Sequence, residues 1–362
     1  MRRLVFTRSL RVSLLLCGAS LSVFLLSLGS PAVADAVNFY LGGALRAVPS
    51  AIFALFPFSV IEILLILAVP AALGFFVFLF LNVRNTRLVA RSVSLMLTVS
   101  LLLLSSYLVT VACGYRTTPL SKRLGLPETE VTVESLDRAA RALLSEAKAL
   151  ESELVRDEGG ASVMPYTYDE LSELLDRAYD EMNRIYALTP PSATRLKPVL
   201  LSDLMSRARF AGIWSYVTGE TNINVNPPDY CIPFTAAHEM AHQRGVARED
   251  EASFVAFLAL CCADSPYLRY TGYVGLFEYI ACELVLLDAE AYFQLAGDQL
   301  LTGAIMSDMR AYNAYYSENE DGVISDVAGS FNDAYLKLNG TSGEKSYSEV
   351  VRLAVAYFAQ PK

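Results

Sequence analysis

The chain has 362 residues, of which 54% are hydrophobic and only 19% charged, too apolar for an ordinary soluble protein. Its net charge of −9 is unevenly spread: residues 1–116 carry nine arginines against Asp35 and Glu62, a net of +7, while the remainder holds 20 basic and 36 acidic groups, a net of −16. That balance predicts a membrane part followed by an acidic outer part, and it argues against a nucleic-acid partner.

In chain order, three uncharged or nearly uncharged apolar stretches come first, at about 12–30, 58–83 and 92–115. Each reaches the roughly 20 residues that a bilayer crossing requires. Arg2, Arg3, Arg8 and Arg11 precede the first, and Arg84, Arg87 and Arg91 fill the connection between the second and third. Arginine stays on the cytoplasmic side, so the expectation is a multi-pass protein of the cell membrane. Its N-terminus is cytoplasmic and everything after Arg116 lies outside. "PAVADA" (Pro31–Ala36) also resembles a signal-peptide cleavage site, but the apolar run before it is long for a signal core, which favours a retained anchor. Glu62, at the outer end of the second stretch, has two readings: a carboxylate among lipid headgroups, or a buried contact with another helix or the outer part. The six cysteines include no CxxC pair, so disulfides outside the cell and free buried thiols both remain open.

Residues 117–362 form the expected outer domain. Ser135–Arg156 and Tyr168–Leu188 read as acidic helices. "IWSYVTGETNINVN" then alternates with period two around a turn at Gly219, a small β element that could present Thr221–Asn226 as a cleft edge to an extended peptide. Pro233 and Gly245 bracket a helix over about Ile232–Arg244, and helices follow to the C-terminus. The fold expected is mainly α: three transmembrane helices, then a mostly helical α+β outer domain with its strands beside that helix.

The helix carries both histidines of the chain, His238 and His242, with Glu239 between them. One turn apart, the imidazoles share a face and can hold one metal ion, for which zinc suits best. Glu239 is rotated about 100° from His238. It is placed to move a proton, not to ligate with the pair. A third ligand must be carboxylate or thiolate, because no histidine remains. Glu251 is the first choice, since it shares a face with Val255, Leu258 and Cys262 and so points into packing. Glu249 is the alternative, with Ser253 one turn on, and Cys231 is an outsider.

The motif, with a downstream glutamate, resembles the gluzincin metallopeptidases and implies a zincin-like outer domain. More narrowly, "FPFSVIEIL" (Phe56–Leu64), "GYRTTPL" (Gly114–Leu120), "TGETNINVN" (Thr218–Asn226), "IPFTAAHEMAHQRGVAREDEASF" (Ile232–Phe254) and "NDAYLKLNGTSGEKSYSEVV" (Asn332–Val351) resemble the domain of unknown function 3810 family of bacterial membrane proteins. That family usually has Asn where this chain has Ser253, which weakens the case for Glu249. The family implies no established activity, so the expectation of a zinc peptidase rests on the motif. Glu239 would be the general base, and a tyrosine such as Tyr335 or Tyr347 would stabilise the oxyanion. A non-catalytic, zinc-stabilised envelope scaffold or receptor is the alternative of a different class, and an amide hydrolase acting on wall crosslinks is a third.

Overall fold

The computed structural model describes residues 7–318, 322–343 and 349–360. Thr7 caps the first helix, α1 (Arg8–Gly29), by accepting the Leu10 N–H at 3.2 Å. Ser30 and Pro31 restart the chain as α2 (Pro31–Ala36), which passes through a π-helical turn at Val37–Gly42 into α3 (Gly43–Phe53). The stretch read as a possible cleavage site is therefore helical, and its Asp35 accepts the Thr118 N–H at 2.9 Å. Next come α4 (Val60–Leu81) and α5 (Thr86–Tyr107), the latter continuing as a π-helical turn at Leu108–Ala112.

Long and apolar enough to cross a membrane are Arg8–Gly29, Val60–Leu81 and Thr86–Arg116, with mean hydropathies of 2.1, 2.8 and 2.1. Their leucines and phenylalanines, among them Leu65, Phe76, Phe80 and Leu104, stand exposed in ranks. Such surfaces are compatible with a lipid bilayer and unfavourable in water.

The C-terminal part, residues 117–362, contains α6 (Leu120–Arg123), α7 (Val133–Leu150), α8 (Tyr168–Tyr186), β1 (Leu196–Pro198), α9 (Ser202–Arg207), β2 (Gly212–Trp214) and β3 (Thr221–Ile223). Then follow α10 (Cys231–Gln243), α11 (Glu249–Cys261), α12 (Pro266–Leu287), α13 (Ala289–Gly297), α14 (Gly303–Glu318), α15 (Val323–Leu338) and α16 (Val350–Phe358). Reciprocal capping boxes at Thr132–Ser135 and Thr167–Glu170 start α7 and α8. The chain breaks between α12 and α13 at Asp288, whose side chain caps α13. By length and hydropathy α12 could also span a membrane, but 56% of its apolar window is buried inside the protein against α7, α10 and α11. It is a core helix. Leu143, Leu175, Phe254, Phe257 and Leu276 sit in the centre of that core.

The strands form one sheet in the order β1-β3-β2, with β1 parallel and β2 antiparallel to β3. This corrects the expected cleft edge. Thr221–Asn226 includes the central strand, whose two sides are already paired, so the edges are β1 and β2, and β2 is the one that borders the cavity at His238 and His242.

The boundary expected at residue 116 is not a gap in the packing. Glu220, just before β3, accepts the Val60 and Ile61 N–H groups at 2.9 and 2.8 Å, filling orphan donors at the start of α4. Ser59 donates to Asn222 Oδ1 at 2.6 Å, and buried Lys197 of β1 donates to the carbonyls of Phe53 and Phe56. Glu62 does not face headgroups. It is buried and accepts the Leu200 and Leu201 N–H groups at 3.1 and 2.7 Å. All six cysteines are unpaired thiols.

Because Glu220 is buried and serves two backbone donors, Glu220→Ala should cost about 2–4 kcal/mol by leaving them unsatisfied. Thermal unfolding in detergent checks this, with exposed Glu173→Ala expected to leave the transition unchanged.

Candidate metal centre

The helix α10 runs along the sheet with Ala236, Ala237, Met240 and Ala241 packed into the core. Its other side carries His238 and His242 into a cavity of about 1140 Å³. The Nε2 atoms of the two histidines lie 3.1 Å apart. Gly245 then turns the chain back at φ +94, a left-handed conformation that favours glycine. A Cβ there would also fall 2.2 Å from the Arg46 guanidinium. Asn38 donates to the Gly245 carbonyl at 2.8 Å, and Arg46 donates to the Asn38 side chain at 3.0 Å.

This turn aims the first residue of α11 at the histidines. Glu249 Oε2 lies 3.1 Å from His238 Nε2 and 3.3 Å from His242 Nε2. Glu251, the first choice from sequence, goes elsewhere: its Oε1 accepts the Leu120 N–H at 2.8 Å and an Arg248 N–H at 2.8 Å. It points into packing, as expected, but toward the start of α6. The face of α11 that meets α10 is the one with Glu249 and Ser253. Among the described residues, His238, His242 and Glu249 form the one group of three with ligand atoms within 4.8 Å of one another, and Cys231 is not part of it.

The donor set fits a small divalent ion. Ligands about 2.0–2.1 Å from a tetrahedral ion are roughly 3.3 Å apart, close to the separations here. His242 Nδ1 lies 2.7 Å from the Val246 carbonyl and can only donate to it, which leaves the Nε2 lone pair for a ligand when the ring is neutral. His238 Nδ1 meets the hydroxyl of fully buried Ser253 at 3.1 Å, so Ser253 steadies a histidine and not the glutamate.

Glu239 is buried beside them. Its Oε2 accepts the Trp214 N–H of β2 at 2.6 Å. Burial raises its pKa, while the charges of His238 and His242 oppose the rise. The strand approaches so closely that a Cβ on Gly212 would lie 2.7 Å from Glu239 Cγ, so this position must be glycine. Backbone bonds from Ser215 to Glu220 and from Asn224 to Ala211 show which residues of this strand face β3. The alternate residues, Gly212 and Trp214, turn their polar backbone groups away from it, toward the cavity.

Sequence reasoning missed several residues that line this cavity. Tyr107, Thr110, Val111 and Tyr115 come from the C-terminal end of the third apolar helix, and Gly212, Trp214 and Tyr279 from the C-terminal part. Only the period-two pattern hinted at Trp214. Tyr335 lines it as well, with its hydroxyl pKa raised by burial first and by Tyr115 and Tyr107 nearby. Tyr347 lies outside the described residues.

Fold and site together define a mainly helical membrane-type protein with a two-histidine, one-carboxylate cluster at the mouth of its apolar helices. The family model for "Protein of unknown function (DUF3810)" matches residues 40–355, and the chain belongs to that family. No curated protein and no solved structure matches it.

Burial alone would lower the His242 pKa, but the Glu249 carboxylate outweighs it and raises the value from 6.5 to about 9. In chelator-treated protein the stability contributed by this pair is therefore complete between pH 4.5 and 6.5, lost as pH rises through about 9, and lost again in acid as Glu249, whose pKa the histidines lower, takes up a proton. The melting temperature in chelator should fall from pH 6.5 to about 9, and Glu249→Gln should flatten the fall.

Proposed function

We propose that the protein is a membrane-anchored, zinc-dependent peptidase with a zincin-like outer domain and its active site outside the cytoplasm. The observation that carries this reading is the convergence of His238, His242 and Glu249 on one point, with Glu239 on the same helix and a free strand edge alongside. The arginines Arg84, Arg87 and Arg91 between α4 and α5 support three spans with that connection inside and residues 117–362 outside.

His238, His242 and Glu249 would hold the zinc. When bound, the ion supplies Lewis acidity toward a carbonyl oxygen and makes a water more acidic. The chain's own residues do the rest. With the Trp214 N–H held by Glu239, the Gly212–Trp214 edge offers its remaining outward backbone groups, the Gly212 N–H and the Gly212 and Trp214 carbonyls, to an extended peptide in the manner of an added strand. Glu239 takes a proton from the attacking water and returns it to the leaving amine. Its raised pKa, caused by burial, suits a group that must hold a proton between those steps. Tyr335, on the cavity wall, is positioned as a hydroxyl donor to the carbonyl oxygen as it gains charge. Nothing in this arrangement needs a nucleic acid, and the partners are the bilayer and a polypeptide.

Two measurements test the reading. Removing a general base typically costs about 10²–10⁴-fold in rate. Glu239→Gln should therefore yield folded, zinc-loaded protein that has lost cleavage of a peptide library by that factor. Full retention of activity would replace the peptidase by the zinc-stabilised scaffold. For the ligand set, Glu249→Gln should weaken zinc in a chelator competition by more than the roughly 10–100-fold typical of outer-shell changes. Glu251→Gln should leave zinc affinity intact and lower thermal stability, because it holds the Leu120 N–H and Arg248.

A further inference from the structure

The helix that closes the metal-centre cavity on one side, α15, has two unlike faces. Asp326, Gly329, Asn332 and Asp333 line the cavity. Val323, Val327, Phe331, Ala334 and Leu338 fall within about 80° of arc on the opposite side. Those side chains are exposed, with Phe331 at 74% and Leu338 at 85%. An unbroken, exposed apolar stripe opposite a face bearing Asp326, Asn332 and Asp333 is the pattern of a helix lying in a membrane interface.

The C-terminal end of α15 adjoins the end of an apolar helix, and the preceding helix α14 adjoins the segment held by another. At its C-terminal end Asn339 accepts a hydrogen bond from Tyr107 at 2.8 Å, and the Tyr335 and Tyr107 rings are 6.4 Å apart. Tyr107 is one turn beyond Leu104, where the exposed apolar rank of α5 stops. Before its N-terminal end, Tyr315 of α14 donates to Ser206 at 2.7 Å. Ser206 belongs to α9, the helix that follows the Leu200–Leu201 turn held by Glu62 of α4. That turn is itself apolar and exposed, with Leu200 at 82% and Leu201 at 41%. The turn thus extends the exposed apolar surface at the end of α4, and the stripe of α15 ends beside that of α5.

We propose that α15 rests in the outer face of the bilayer through its Val323–Leu338 stripe, as a lipid-held wall of the metal-centre cavity. A wall placed there lets the cleft receive polypeptide at the membrane surface. The proposal rests on the membrane placement of α1, α4 and α5 but not on peptidase activity. A second copy of the chain, or another protein, covering the same stripe is the competing outcome.

The test is photo-crosslinking of the full-length protein in native membranes. Val327, Phe331 and Leu338 are replaced one at a time by benzoylphenylalanine, with Val69 and Leu95 as span controls and Glu173 as a water-facing control. The expected result is phospholipid adducts at positions 327, 331 and 338, at least about fivefold above position 173. Adducts to protein at these positions, or lipid adducts at 69 and 95 but not at the three stripe positions, overturn the proposal. Absence of lipid adducts at 69 and 95 overturns the membrane placement and this inference with it.

Discussion

The turn at Gly245 is the constraint on which the rest of the site depends. It reverses the chain between α10 and α11 within a few residues, and only that reversal brings Glu249 to two histidines on the preceding helix. The turn is not held by its own neighbours. Asn38 takes its carbonyl, and Arg46, 2% exposed, fills the space where a side chain at 245 would stand. Arg46 finds uncharged acceptors only, the Asn38 side chain and the carbonyls of Asn38 and Thr110. Burying a guanidinium without a carboxylate is costly, and the site stands on that arrangement. Both residues come from the helical stretch between the first and second apolar helices.

The same dependence recurs around the cavity. The stretches that resemble the family are where the two parts of the chain meet. "FPFSVIEIL" supplies Ser59 and the Val60 and Ile61 donors, and "TGETNINVN" supplies their partners Asn222 and Glu220, while Glu62 of the first stretch accepts from Leu200 and Leu201. "GYRTTPL" passes beside the Gly245 turn, with a Cβ on Gly114 only 2.8 Å from Ala247. Unsatisfied N–H groups at the end of an apolar helix are costly, so pairing them with the Glu220 carboxylate fixes the helix end and the sheet together. The sheet in turn sets the distance of Trp214 from Glu239. The apolar helices and the C-terminal part are thus one structure around one cavity.

Much of this was legible in the sequence. Two histidines one turn apart, a glutamate between them, and Pro and Gly at the helix ends give the face and length of α10 directly, because helical periodicity is local. The apolar helices were equally plain. The third carboxylate was not. Glu249 and Glu251 are both buried at the first turn of α11, and burial alone does not say which neighbour a face meets. The strand order escaped for a related reason. Leu196–Pro198 is three residues long and has a lysine in its middle, so no alternation announces it, yet its pairing makes β3 central and moves the edge on the cavity side to β2. Glu62 and Tyr107 resisted reading because their partners are about 138 and 232 residues away in the chain. Such contacts are tertiary and leave no mark in a window of neighbouring residues.

X-ray absorption spectroscopy of the zinc-loaded, full-length protein tests the central claim most directly. The account predicts a shell of nitrogen and oxygen at about 2.0–2.1 Å with the scattering signature of two imidazoles and no sulfur. A zinc–sulfur distance of about 2.3 Å, or a shell without imidazole, would contradict it.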